Sequence, residues 1–195
     1  MSVSHQPIST RPSVRALLRW APTFVAFPVG GLTAHLLVGP VDTVLTAAVG
    51  GLVTGVAIGA AQWWALRPAG LTAGRWVSAS ALGFAAALAL VTAVAGPPTT
   101  VRAVVVQGAV CGLGLGAAQA GVLVQRLGAR ALLWPVLLAG AWALGWTVTA
   151  AVGVRLEDGW TVFGSTGAVV VTVLTAVLPL VLSRSASELA AAAPR

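Results

Sequence analysis

The sequence predicts an all-α membrane protein: six transmembrane helices forming three parallel helical-hairpin repeats of about 57 residues, with both termini cytoplasmic. Three observations carry that expectation. Hydrophobic residues make up 58% of the 195-residue chain and charged residues 8%, at a mean hydropathy of +0.96, where a soluble domain carries about 25% charged residues. The apolar residues fall into six runs of bilayer-spanning length, and the sequence matches itself when shifted by 57 positions. With 11 arginines, no lysine and 4 acids, the chain cannot cover a soluble surface of this size, which excludes a water-soluble enzyme. The +7 balance does not signal nucleic acid. The arginines are scattered in ones and twos and form no stripe along which a phosphate backbone could run.

A helix needs about 20 mostly apolar residues to cross a bilayer. The first run, 21–39, follows a basic leader, residues 1–19, that holds Arg11, Arg15 and Arg19. Such a leader also fits a secretory signal. The length of the run and its lack of a small-x-small cleavage site favour a retained first helix, closed by Gly39-Pro40-Val41-Asp42. The second run, 43–66, ends at Arg67-Pro68-Ala69-Gly70. The third, 77–95, follows Arg75 and stops at Gly96-Pro97-Pro98-Thr99. The fourth, 102–124, gives way to Arg126-Leu127-Gly128-Ala129-Arg130, and the fifth, 132–152, to Arg155-Leu156-Glu157-Asp158-Gly159. The sixth, 161–182, is β-branched enough for a strand in water. It reads as a helix because lipid offers its backbone groups no partner outside their own segment. The first 13 residues and the cytoplasmic tail, 183–195, are polar or of low complexity and are expected to be mobile.

Orientation follows from arginine placement. Arg11, Arg15, Arg19, Arg67, Arg75, Arg126, Arg130, Arg184 and Arg195 fall on one side; Arg102 and Arg155 fall on the other, with Asp42, Glu157 and Asp158. The basic side faces the cytoplasm, so a multi-pass protein of a bacterial cytoplasmic membrane is expected. Trp20, Trp63, Trp64, Trp76 and Trp134 fall at inner ends and Trp160 at an outer end, as expected for rings at headgroup level.

The 57-residue shift carries Gly39-Pro40 onto Gly96-Pro97, and Gly51, Gly55 and Gly59 onto Gly108, Gly112 and Gly116. It also carries Gly59-Ala60-Ala61-Gln62 onto Gly116-Ala117-Ala118-Gln119, while a third unit keeps only the first half of the pattern. The repeats read as 20–76, 77–133 and 134–182, within one transmembrane domain, 20–182. Parallel repeats relate by an axis along the membrane normal, which predicts pseudo-threefold packing. Glycines four apart drift by about 40° per step on a helix, so each set makes a flat strip for close helix packing. Gln62 and Gln119 return to within roughly 20° of the first glycine of their strips and face the packed interior, with Trp64 pointing away. The two glutamines read either as interhelical glue or as the lining of a small site.

The run Gly-x3-Gly-x2-Gln-Trp, Leu-Arg, a basic turn, then Arg-Trp-Val-x-Ala-Ser-Ala-Leu-Gly spans Gly55 to Gly83. It resembles a group of uncharacterised bacterial six-helix integral membrane proteins with a repeated motif of this type. A weaker echo runs from Gly112 to Gly145, with Ala120 in place of the tryptophan and Trp142-Ala143-Leu144-Gly145-Trp146 closing it. That resemblance implies topology and no activity. In length and helix count the chain also resembles the substrate-binding subunits of energy-coupling-factor transporters, and Ala26-x3-Gly30-x3-Ala34 supplies a small-residue docking face on the first helix.

The chemical inventory is sparse. No Asp, Glu or Lys lies within a run, so paired-carboxylate catalysis and acidic metal sites lack residues. No His/Cys cluster has metal-ligand spacing, and the lone Cys111 reads as a small buried residue. No enzyme activity, metal or cofactor is expected. His35 is the one titratable group in a run, either bonded to a carbonyl or to Asp42, or an outer-gate, pH-sensitive group. Trp142 and Trp146, four apart in mid-run with Thr147 and Thr149 nearby, are core packing or the wall of an apolar pocket. Gln62, Gln119, His35, Trp142 and Trp146 are therefore the candidate ligand-binding residues. Two functions compete: small-solute transport or ligand binding, and a non-catalytic accessory subunit of a membrane complex. The partners expected are the bilayer and another membrane protein or a second copy.

Overall fold

A computed structural model of the chain describes residues 12–153, 155 and 158–183. Within them it is helical, with no strand among the described residues. Most of the basic leader (residues 1–11) and of the tail (184–195) lies outside them.

The first helix begins earlier than the apolar run. Helix α1, Pro12–Trp20, joins α2, Ala26–Val38, through the 3-10 turn Ala21–Val25. Proline at the head of that turn lacks the N–H an α-helix would use there. Arg15 and Arg19 are four apart on one face of α1, where their stems can lie along apolar surface while their charges reach water. The combined apolar stretch, Ser13–Val38, is 26 residues long, or about 39 Å at the helical rise.

Threonines open the next helices. Helix α3, Val44–Leu66, starts at Thr43, whose Oγ1 accepts from the Thr46 amide at 3.1 Å while Thr46 Oγ1 accepts from the Thr43 amide at 3.0 Å. This reciprocal cap satisfies donors that a helix start leaves open. Helix α4, Ala73–Ala95, follows a short turn, and α5, Val101–Leu127, starts where Thr100 Oγ1 accepts from the Ala103 amide at 3.2 Å. Gly39 and Gly96 close α2 and α4 at φ of 75° and 72°, a backbone that side-chain-bearing residues rarely adopt. A 3-10 segment, Gly128–Leu133, leads to α6, Trp134–Ala151. Helix α7, Ser165–Thr175, is followed by further helix over residues 177–183.

Five stretches are long and apolar enough to cross a membrane: Ser13–Val38, Val44–Ala69, Ala73–Ala95, Val101–Ala151 and Ser165–Ser183. The fourth, 51 residues long, joins two predicted runs because the 3-10 segment keeps the chain helical between them. It is not one straight rod. Gly112 of α5 packs directly on the Leu138 carbonyl of α6, and Gly116 on Pro135, so the chain folds back at residues 128–133.

Glycine contacts give the packing of successive helices. A Cβ on Gly51, Gly55 or Gly59 of α3 would lie 2.9, 2.7 or 2.8 Å from Ala85, Ala81 or Ser80 of α4. Gly108, Gly112 and Gly116 of α5 lie in the same way against Trp146, Leu138 and Pro135 of α6. Gly30 of α2 packs on Thr54 and Ala57 of α3, and Gly83 of α4 on Leu115 and Ala118 of α5. Each of these pairings is antiparallel. Helix α7 lies on α6 through Gly145 and Gly167, and returns to the start of the chain. There Trp20 Nε1 donates to the Thr172 carbonyl at 2.9 Å, and Phe27 stacks on Phe163 at 5.3 Å.

Two expectations change here. The face Ala26-x3-Gly30-x3-Ala34 is not a free docking surface, because Gly30 and Ala34 are buried against α3 and neighbouring groups. Of the inner-end tryptophans only Trp64 is strongly exposed, beneath Arg67 at 5.6 Å. Trp20, Trp76 and Trp134 are buried, because each packs against neighbouring helices.

Candidate functional site

The two glutamines meet. Gln119 Nε2 donates to Gln62 Oε1 at 3.0 Å and to Ser80 Oγ at 2.9 Å, while Gln119 Oε1 accepts from Trp134 Nε1 at 2.8 Å. Ser80 Oγ in turn donates to the Trp76 carbonyl at 2.8 Å. Close packing makes this possible: Gly59 lets Ser80 approach α3, and Gly116 brings α6 onto α5 one turn before Gln119. All four side chains are buried. Both amide hydrogens of Gln119 are used and its oxygen is engaged, whereas Gln62 is bonded through its oxygen alone. The network ties α3, α4, α5 and the start of α6 together.

Trp142 and Trp146 lie farther along α6, in an aromatic cluster. Trp142 packs edge-on against Phe84 at 4.9 Å and Phe163 at 5.1 Å, and Phe27 lies 6.1 Å away. Trp146 meets Phe163 at 6.0 Å. Edge-to-face pairs in this range are favourable beyond their burial, by about 0.5–1.5 kcal/mol each. Both rings therefore fill the centre of the helix assembly and do not line an open pocket. Thr147 Oγ1 donates to the Ala143 carbonyl at 2.9 Å, whereas Trp142 Nε1 and the buried Thr149 Oγ1 have no partner.

Phe163 reaches that centre from a segment expected to be helical. Residues 159–164 are not helix, and Thr161, Val162 and Phe163 are buried. Thr161 Oγ1 lies 2.9 Å from Thr54 Oγ1, ten residues into α3, or about 15 Å from its start. Val162 packs on Gly31, and Thr161 on Gly50. The left-handed Gly159, φ 64°, turns the chain inward, and the Val41 amide donates to its carbonyl at 2.9 Å. Irregular backbone at such depth is tolerated when protein surrounds it. The sequence signal was the stretch Gly164-Ser165-Thr166-Gly167, which interrupts the apolar run after Phe163 and marks a break before α7.

His35 stands apart from both clusters. Its ring stacks on Trp160 at 4.6 Å and 28°, and its Nδ1 is buried without a partner. Asp42 does not bond it. The Asp42 carboxylate accepts from Thr46 Oγ1 at 3.2 Å instead, because the cap at the start of α3 holds that hydroxyl beside it. The five candidate ligand-binding residues thus occupy three separate places: a glutamine pair, a tryptophan pair and a lone histidine. Ser80, Trp134, Phe27, Phe84, Thr54 and Phe163 complete these clusters; the repeat pairs Phe27 with Phe84 and Trp20 with Trp134, but its spacing joined none of the six to a site. Among the described residues no group of His, Cys, Asp and Glu could hold a metal ion. No protein-family model, no curated protein and no solved structure matches the chain.

Proposed function

We propose that the chain crosses a bacterial cytoplasmic membrane six times, as three parallel hairpins with both termini inside, and serves as a non-catalytic structural subunit of a membrane complex. One observation carries the functional half of this reading. The inward polar groups of the glutamine cluster are bonded to one another, and aromatic rings fill the centre above them. A solute path needs polar groups to spare and space to occupy; Gln119 has none to spare, and aromatic rings take the space. The six crossings draw support from the fold-back within the 51-residue stretch, which suits two spans better than one.

A second reading, small-solute transport or ligand binding, is favoured by a different observation. The irregular segment 159–164 occupies the centre from the outer end, and Trp142 Nε1 and Thr149 Oγ1 are left unpaired in the same region. A solute that displaced the segment would meet these two groups.

Native mass spectrometry of protein extracted in mild detergent from its own membranes separates the two. A stoichiometric second membrane protein, retained through purification, is the result expected. A lone protomer carrying a reproducible small polar adduct, lost when Trp142 is changed to Phe, supports solute binding and overturns the subunit reading.

A further inference from the structure

Four arginines lie at the turns of the basic end between α3 and α6, and three are used within the protein. Arg67 covers the Trp64 ring, Arg75 Nη1 donates to Gln125 Oε1 at 3.1 Å, and Arg126 Nη2 donates to the Gly70 carbonyl at 2.9 Å. Arg130 is exposed and makes no hydrogen bond or ion pair with any described residue. It stands at one end of a groove of about 620 Å³ between the α5–α6 fold-back and the second half of the last helical stretch. Among the described residues Arg130 is the only charged one lining the groove; the rest of the described wall is apolar, with Leu137, Leu174, Val177 and Leu178 along its length. Exposed Leu133, Leu174 and Val177 leave it open sideways. From Leu174 to Val181 the groove follows about 10 Å of helix, much of one leaflet's share of a hydrocarbon core about 30 Å thick.

We infer that this groove holds an anionic phospholipid of the inner leaflet, one acyl chain lying between the α5–α6 fold-back and residues 174–181 and the phosphate meeting the Arg130 guanidinium. The inference rests on the proposed orientation, which puts Arg130 at the cytoplasmic headgroup level. Charge complementarity selects the occupant. An apolar partner helix would leave the guanidinium without an anion, whereas a phospholipid presents an apolar tail and an anion to the two ends of the groove. Guanidinium and phosphate also form charge-assisted hydrogen bonds of matched geometry.

The test is native mass spectrometry of the purified full chain, offered phosphatidylglycerol or phosphatidylcholine from mixed micelles. The expected result is one tightly retained phosphatidylglycerol, preferred over phosphatidylcholine about fivefold, as one basic group near an anionic headgroup supplies. Arg130→Gln should bring that preference close to parity, and Arg102→Gln, at the opposite end, should leave it unchanged. Val177→Trp, which fills the groove at an already exposed position, should lower retention of both lipids. Unchanged preference in Arg130→Gln, or unchanged retention in Val177→Trp, overturns the site. So does a dimer that retains no lipid, since a second copy then covers the face. Carbonate extraction of the parent membranes isolates the underlying reading: protein released into the supernatant sinks the membrane placement itself, whereas protein kept in the pellet without lipid preference sinks only the groove.

Discussion

Replacing Gln119 with leucine would strand two buried groups at once, the Trp134 indole N–H and the Gln62 side-chain oxygen. A buried polar group left without its partner costs about 1–3 kcal/mol, so Gln119→Leu should destabilise by roughly 2–5 kcal/mol. At about 2–4 °C per kcal/mol for a chain of this size, thermal unfolding in detergent should come down by roughly 4–20 °C. Gln62→Leu removes one acceptor while Gln119 keeps Ser80 and Trp134, so its shift should be about half as large. Equal shifts, or a larger one for Gln62→Leu, would show that the network is not centred on Gln119. The inward direction of both glutamines was legible, because their spacing from Gly51 and Gly108 fixes their angle on the helix. Their partners were not. Ser80 and Trp134 lie on other helices; nothing in the local sequence distinguishes Ser80 from Ser78, and Trp134 reads only as a ring at the end of its run.

At the scale of the helix, backbone approach at the glycine strips decides which substitutions matter. A Cβ on Gly112 would press directly on the Leu138 carbonyl, which cannot rotate away as a flexible side chain could. Overpacking of this kind costs about 1–3 kcal/mol. Gly140 of α6, also within a helix, has nothing within 4 Å of its ideal Cβ, and alanine there gains helix propensity of roughly 0.8–1.0 kcal/mol. Gly112→Ala should therefore unfold at a lower temperature than the parent and Gly140→Ala at the same or a higher one; a loss in both would mean that glycine serves these helices in some way other than contact. The strips could be read from sequence because a four-residue period survives in the letters. The inward turn of residues 159–164 could not. Val162 and Phe163 are as apolar as the helix that follows, and only contact with Gly31, Gly50 and Thr54, all distant in sequence, shows where the segment goes. The contact of His35 was hidden for the same reason: Asp42, one of the partners its sequence position offers, bonds Thr46 instead, while Trp160 is its neighbour in space.

The number of crossings is a property of the whole molecule, and the 51 residues of Val101–Ala151 decide it. As a single straight helix they would extend about 77 Å, more than twice a hydrocarbon core of about 30 Å. Folded back at 128–133, they are long enough for two spans, which would put Val101 and Ala151 on the same side. Single cysteines placed at Thr99, Ala129 and Val152 distinguish these geometries in intact cells exposed to a membrane-impermeant maleimide. The native Cys111 is buried within α5 and contributes little background. With six crossings and the basic end inside, Thr99→Cys and Val152→Cys should label and Ala129→Cys should label only after the cells are opened. Labelling confined to Ala129→Cys would keep the fold-back and reverse the orientation, against the arginine asymmetry. If Thr99→Cys and Val152→Cys fall on opposite sides, the stretch crosses once and the three-hairpin arrangement fails, since its second and third units need Thr99 and Val152 on one face. The groove beside Arg130 depends on the same outcome, because a guanidinium can meet an inner-leaflet phosphate only if residue 130 lies at the cytoplasmic turn.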